Sequence, residues 1–192
     1  MNSEFKEIKS YITTNIQMDD ETFNLALDYF VIKHIKKGDY VLQEGQVCDR
    51  ITYISTGLFR TYYLKDGNEI NTCFCMENSI TLSLESFVNK KASKEYIQAI
   101  EDAVVVTISY KNILELYSLN TKWQSLSRVL TEKECARLSD RVNTLSFETA
   151  QEKYLHLLEN QPKIIQRVSI QHIASYIGVS RETLSRIRSK IS

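Results

Sequence analysis

The chain has little of what breaks or staples a fold. Its 192 residues include one proline, Pro162, and five glycines, four of them before residue 68. No Gly/Ser-rich linker therefore divides it. The four cysteines, Cys48, Cys73, Cys75 and Cys135, contain no CxxC pair. That argues against a metal or iron–sulfur site built on paired thiolates, and against a disulfide framework in a reducing compartment. Residues 35–150 hold no histidine, so a metal-dependent enzyme on a β-scaffold lacks its ligands. P-loop, nucleophile-elbow and HExxH patterns are missing too, and no catalytic residue or metal ligand is assigned. No run of 18 apolar residues exists to cross a membrane. The N-terminus from Met1 to Glu7 mixes charged and apolar residues without the apolar core of a signal peptide. A cytoplasmic protein is expected.

What is present suffices for a packed core, with 43% hydrophobic and 25% charged residues. Residues 3–30 read as helical, with Phe5, Ile8 and Ile12 and then Phe23, Ala26 and Phe30 at helical spacing. Between residues 31 and 110 the pattern changes. Gly38, Gly45, Gly57 and Gly67 punctuate short β-branched and aromatic runs, such as Ile51–Ile54, Leu58–Leu64 and Ala103–Ile108. Lys65-Asp66-Gly67-Asn68 is a hairpin signal. Strands at such intervals suit a sandwich or a barrel-like roll. Beyond Ser109 a stripe of Leu119, Trp123, Leu126, Leu130, Leu138, Val142 and Leu145, continued through Glu134, predicts a helix of about 25 residues. A long amphipathic helix of this kind is a natural dimer seam. Thr149-Ala150-Gln151-Glu152 has the form of a capping box opening another helix.

The net charge is zero, from 24 basic and 24 acidic residues, but it is unevenly placed. Residues 163–192 carry six basic residues against Glu182 alone, which suits a polyanionic partner. Within that segment Ser169 is placed to cap a short helix buried through Ile173, Ala174 and Ile177. Gly178 ends it, since glycine alone takes the left-handed conformation cheaply. Ser180 caps a second helix buried through Leu184 and Ile187. Two short helices around a glycine turn make a helix-turn-helix. The polar face of the second offers Arg181, Glu182, Ser185, Arg186 and Arg188. Arginine bonds bidentately to guanine, and glutamate accepts from cytosine. Arg188 and Lys190 are better placed for phosphates.

Gly178-Val179-Ser180-Arg181-Glu182-Thr183-Leu184-Ser185-Arg186-Ile187 closely resembles the recognition helix of the Crp/Fnr family of bacterial transcription regulators. Lys37-Gly38-Asp39, Gly45 and Ile54-Ser55-Thr56-Gly57 resemble that family's cyclic-nucleotide-binding β-roll. Residues 120–149 resemble its dimer helix and hinge. The fold implied is α+β: an antiparallel β-roll with flanking helices (1–118), a dimerisation helix and hinge (119–147), and a winged-type helix-turn-helix (148–192). The wing has only Lys163–Val168 to form from, so it is reduced. The strands that often follow the family's recognition helix are not expected here, and part of the phosphate anchoring is expected to be lost with them. By resemblance Arg181, Glu182, Ser185 and Arg186 read base edges, in a TGTGA-like or a TTGAT-like half-site. Ser169, Gln171, Ser180 and Thr183 contact phosphates. The partners implied are double-stranded DNA, a second copy of the chain and RNA polymerase.

The sensor departs from the family pattern. The family's phosphate cassette carries a Gly-Glu pair and an Arg-Ser/Thr pair. Here Leu82-Ser83 and Ser93-Lys94 fall at those positions, and Leu138-Ser139 fall where the long helix would face the purine. Losing the arginine removes a bidentate, charge-assisted phosphate contact. The expectation is that no cofactor is used and cyclic AMP is not bound. An effector pocket, if there is one, would involve Ser83, Ser93, Lys94, Leu138 and Ser139 and take a small anion or metabolite. An Fnr-type iron–sulfur site needs clustered N-terminal cysteines, whereas the first here is Cys48. The competing function is a protein–protein adaptor that keeps an unused helix-turn-helix.

Overall fold

The computed structural model describes residues 2–191; Met1 and Ser192, the outer limits of the expected domains, lie outside the described residues. The chain forms two compact units. One takes the chain up to Thr61 together with Cys75–Lys133, and the other takes Tyr62–Phe74 together with the chain from Glu134.

In the first unit, α1 (Ser3–Asn15) buries Ile8 and Ile12. The single helical stretch expected over 3–30 is instead broken. Ile16 is extended, and Asp19 opens a new short helix, α2 (Asp20–Asn24), by accepting from the Thr22 amide at 2.8 Å. A 3-10 turn follows at Leu27–Tyr29. An aspartate favours this cap over a helix interior because its side chain competes for backbone amides. The break lets Met18, Phe23, Ala26 and Phe30 all reach the core.

The strands are β1 (Val31–Ile35), β2 (Tyr40–Leu42), β3 (Arg50–Thr56), β4 (Phe59–Lys65), β5 (Asn68–Cys75), β6 (Ser79–Thr81), β7 (Glu95–Ala99) and β8 (Ala103–Ser109). A short helix, α3 (Leu84–Asn89), lies between β6 and β7, and α4 (Tyr110–Leu119) follows β8. One sheet has the order β1-β8-β3-β6 and the other β2-β7-β4-β5. The β1–β8, β3–β8, β3–β6 and β2–β7 pairs are antiparallel. This is the expected roll.

Strand β3 pairs with β8 so that Tyr53 lies opposite Val106 and Ile54 opposite Val105. Side chains alternate across a sheet, so these two pairs face opposite ways. Tyr53 and Val106 join a core with Ile8, Ile12, Phe23, Leu116 and Trp123. Ile54 and Val105 join another with Leu42, Phe59, Phe87, Ile97 and Ile113. Burial on both faces explains the unbroken Ala103-Val104-Val105-Val106 run. The turn between β4 and β5 puts Asp66 and Gly67 at φ 51° and 76°, as a two-residue I′ hairpin requires.

The long helix α5 (Thr121–Phe147) has the expected length, but Leu119, the first residue of the expected stripe, ends α4 instead, and the extended Asn120 separates the two helices. Its stripe divides. Trp123 and Leu126 are buried, whereas Leu138, Val142 and Leu145 are 41%, 61% and 45% exposed in the single chain. In the second unit α6 (Ala150–Asn160) opens with the capping box of Thr149 and Glu152. Pro162 then starts α7 (Pro162–Arg167), at the helix position where a missing N–H costs nothing. The reduced wing thus reaches its limit: the segment is helical, and no strand follows α6 among the described residues.

Gly57, at φ 102°, leaves no room for a side chain. An added Cβ would stand 2.5 Å from the Ala103 Cβ. We expect Gly57→Ala to cost about 2–5 kcal/mol in urea unfolding, combining backbone strain and overpacking. Gly67→Ala, with open space around it, should cost about 1 kcal/mol. Burial, with smaller contributions from Glu7 and Tyr11, pushes the Tyr53 phenol up to about 12. In the unfolded chain a phenol ionises near pH 10. The stabilisation is therefore complete below about pH 10 and lost as pH rises towards 12. Unfolding curves across that window should show stability falling, and Tyr53→Phe should flatten the fall.

Candidate nucleic-acid interface

The helix-turn-helix consists of α8 (Ile170–Ile177) and α9 (Arg181–Ile191). Ser169 Oγ accepts from the His172 amide at 3.3 Å, and Ser180 Oγ from the Thr183 amide at 3.1 Å. Gly178 sits at φ 78°, ψ 35°. The Val179 amide then reaches back to the Ala174 carbonyl at 2.9 Å, which closes the helix end. Ile173, Ala174, Ile177 and Leu184 are buried together with Tyr154, Leu157, Ile164 and Val168. Three helices and a helical turn thus form one small core that fixes the angle of α9.

On α9 the side chains of Arg181, Glu182, Ser185, Arg186, Arg188 and Lys190 are all exposed. Arg181, Ser185 and Arg188 recur at helical spacing, with Glu182 and Arg186 beside them. Glu182 is held below the usual carboxylate range, chiefly by its own backbone amide and by the Ser180 hydroxyl. It therefore stays an acceptor at neutral pH. Ser169, Gln171 and Ser180 are exposed and Thr183 half-buried. Ser180 and Thr183 share a hydroxyl contact of 3.1 Å. The residues assigned to bases and phosphates thus lie on α9, its cap and the first turn of α8. None is enclosed in the protein interior.

Sequence reasoning missed how α8 is held. Ser175 Oγ accepts from the Asn71 amide at 3.0 Å and donates to the Glu69 carbonyl at 2.6 Å, both on β5. His172 Nδ1 lies 3.8 Å from Glu69 Oε2. The Tyr176 ring packs against Phe74, with centroids 5.2 Å apart. The guanidinium of Arg141, on α5, stacks 3.7 Å from the centre of the same ring and donates to the Tyr176 carbonyl. Burial pulls that guanidinium below its ordinary range, though arginine stays charged at any ordinary pH. The side-chain amide of Asn71 is buried with neither its oxygen nor its nitrogen paired. No local sequence signal marks these contacts, because they join elements far apart along the chain.

The residues expected to form an effector pocket behave differently. Ser83 and Ser93 are buried and come together, with a hydroxyl contact of 3.3 Å. Ser93 Oγ also donates to the Glu95 carbonyl and accepts from the Glu95 amide. Lys94, Leu138 and Ser139 are exposed. The roll does hold a cavity of about 260 Å³, lined by Val41, Cys48, Arg50, Thr52, Thr81 and Leu82 among others. Ser83, Ser93 and Lys94 are not part of its wall. Arg50 there is already paired with Asp49 at 2.8 Å. Burial pushes the Cys48 thiol up, with smaller opposing contributions, so it is a poor nucleophile. Among the described residues no group of three His, Cys, Asp or Glu side chains is placed to hold a metal ion.

Replacing Ser175 with alanine should strand the Asn71 amide and the Glu69 carbonyl. At about 1–3 kcal/mol for a missing buried partner, hydrogen exchange at the Asn71 amide should quicken by about 10–100-fold. Amides in the β3–β8 ladder should keep their protection.

Residues 32–120 match the family model described as the cyclic nucleotide-binding domain. No curated protein matches the chain. Several solved structures are similar in fold. FixK2 from Bradyrhizobium japonicum superposes with a TM-score of 0.72 at 22% identity, over 84% of this chain and 84% of that one. The c-di-GMP-responsive global regulator CLP of Xanthomonas campestris does so with 0.71 at 19%, over 90% and 91%. A protein from Eubacterium rectale, described as a transcriptional regulator of the Crp/Fnr family, does so with 0.70 at 18%, over 90% and 83%. Residues 78–96, where the resemblance leads one to expect the phosphate cassette, contain no arginine, and the two serines at the expected contact positions bond to one another. The chain therefore has the fold of the Crp/Fnr regulators, and its residues 32–120 match the cyclic nucleotide-binding domain.

Proposed function

We propose that the chain is a sequence-specific DNA-binding transcription regulator. It works in the cytoplasm as a homodimer on an inverted-repeat operator, and it catalyses no reaction. The observation that carries this reading is the exposed face of α9. Three arginines and a glutamate stand there on a helix anchored by a buried leucine and a left-handed glycine turn. A solvated helix face in an ordinary bundle has no need of that clustering. Arg181, Glu182, Ser185 and Arg186 read base edges. Arg188 and Lys190, with the first turns of α8 and α9 at Ser169, Gln171, Ser180 and Thr183, hold phosphates.

The exposed half of the α5 stripe, Leu138, Val142 and Leu145, supports dimerisation. A second copy related by a two-fold covers this face and sets two recognition helices about 34 Å apart, one turn of the DNA. RNA polymerase is the further partner of a regulator bound beside a promoter. Cyclic AMP is not the effector: a cyclic phosphate buried without a guanidinium to pair it pays its desolvation uncompensated. Calorimetry with cyclic AMP should show no heat of binding at micromolar concentrations.

Selection from a random DNA pool without added ligand, at a stated salt concentration, tests the reading. The expected product is an inverted repeat of TGTGA-like or TTGAT-like half-sites. Arg186→Ala should weaken binding about 10–100-fold and relax preference at one base pair of each half-site. Lys190→Ala should weaken binding to all sequences alike and lower the salt slope by about one per protomer. Binding without sequence preference, and unaffected by Arg186→Ala, would replace this reading with that of an adaptor.

A further inference from the structure

The first unit holds a second cavity, of about 80 Å³, outside the roll's interior. Its walls include Ile12 of α1, Tyr53 of β3, Leu116 of α4, and Trp123 and Leu126 of α5. No charged side chain lines it. The polar groups at its wall are mostly engaged. Tyr53 donates to Asn78 Oδ1 at 2.9 Å, and the Tyr117 and Ser127 hydroxyls bond to each other. Trp123 is different. It is the sole tryptophan of the chain and is 5% exposed, and its indole N–H is buried with no acceptor. An indole nitrogen is a donor only, and a buried donor without a partner is rare enough to call for an explanation. A water bonded to Trp123 would need further polar partners, and the wall offers only hydroxyls, three of which already bond elsewhere.

We propose that this cavity is a binding site for a small, neutral, mostly apolar molecule whose carbonyl oxygen accepts from Trp123 Nε1. The uncharged wall excludes carboxylates and phosphates, whose desolvation nothing there would offset. Size narrows the class further. A dry apolar cavity of about 150 Å³ takes up benzene, so this one suits about three to five non-hydrogen atoms, the size of a short ketone or aldehyde. The site is separate from the 260 Å³ cavity of the roll, since the two wall sets share no residue. Four of its wall residues, Trp123, Leu126, Ser127 and Leu130, belong to the first turns of α5, so an occupant touches the long helix directly. The assignment stands independently of DNA binding.

The full-length protein gives a clean readout, because a ¹⁵N-labelled sample has one indole N–H signal. Titration with 2-butanone should move that signal downfield along a saturable curve. 2-Methyl-1-butene, in which a CH₂ replaces the carbonyl oxygen, should perturb the methyl signals around the cavity along a saturable curve without the downfield indole shift. Trp123→Phe should lower the ratio of ketone to alkene affinity about tenfold. Leu126→Phe, which fills the space, should abolish the response to both ligands in a protein that still melts cooperatively. No saturable response of the wild-type protein to either ligand would overturn the proposal. So would an indole shift of equal size with both, or an unchanged affinity ratio in Trp123→Phe.

Discussion

The pairing of β3 with β8 is the constraint on which the first unit depends. Two adjacent residue pairs, Tyr53 with Val106 and Ile54 with Val105, commit their side chains to different cores. A slip of one residue would exchange the two sets, placing a phenol where an isoleucine packs. Everything seated on either face inherits this register. The N-terminal helices and the start of α5 rest on one side, the larger cavity and α3 belong to the other, and α4 gives Leu116 to the first core and Ile113 to the second. Gly57, directly after β3, belongs to the same constraint, since its missing side chain is the space that Ala103 occupies.

How far this is legible in the sequence depends on how local each cause is. The hairpin at Asp66-Gly67, the Thr149–Glu152 capping box and the Ser169–Gly178–Ser180 frame are each written within a few residues, and the structure has all three. The α5 span is equally plain, because glycine and proline are missing across it. The break at Ile16–Asp19 is hidden by apolar residues that keep helical spacing on both sides of it. Pro162 marks a stop in the sequence. It is also a start, since proline suits the first position of a helix as well as the residue after one. The helical turn Pro162–Arg167 follows from that second property.

At the candidate interface the same division holds. The residues proposed to meet DNA are legible because they lie on two short helices that are adjacent in the sequence. The Arg141, Ser175 and Tyr176 interactions are not, because they join α5, α8 and β5 through space. The 260 Å³ cavity escapes the sequence for a related reason: its wall comes from separate segments, none with a distinctive composition. Asn71 sharpens the point. Its backbone amide is satisfied by Ser175, while its side-chain amide is left dry. A buried amide without partners favours any arrangement that wets it. The grip of β5 on α8 is thus weaker than the number of its hydrogen bonds suggests.

Ser180 sets two demands against each other. As a helix cap, aspartate would serve as well as serine, and its charge would suit the positive end of α9. On the reading proposed above, a phosphate approaches those same first-turn amides, and a fixed carboxylate would repel it. Selection for stability alone would therefore drift towards the residue that disarms the helix. The neutral hydroxyl closes the helix end and leaves the anion's place open.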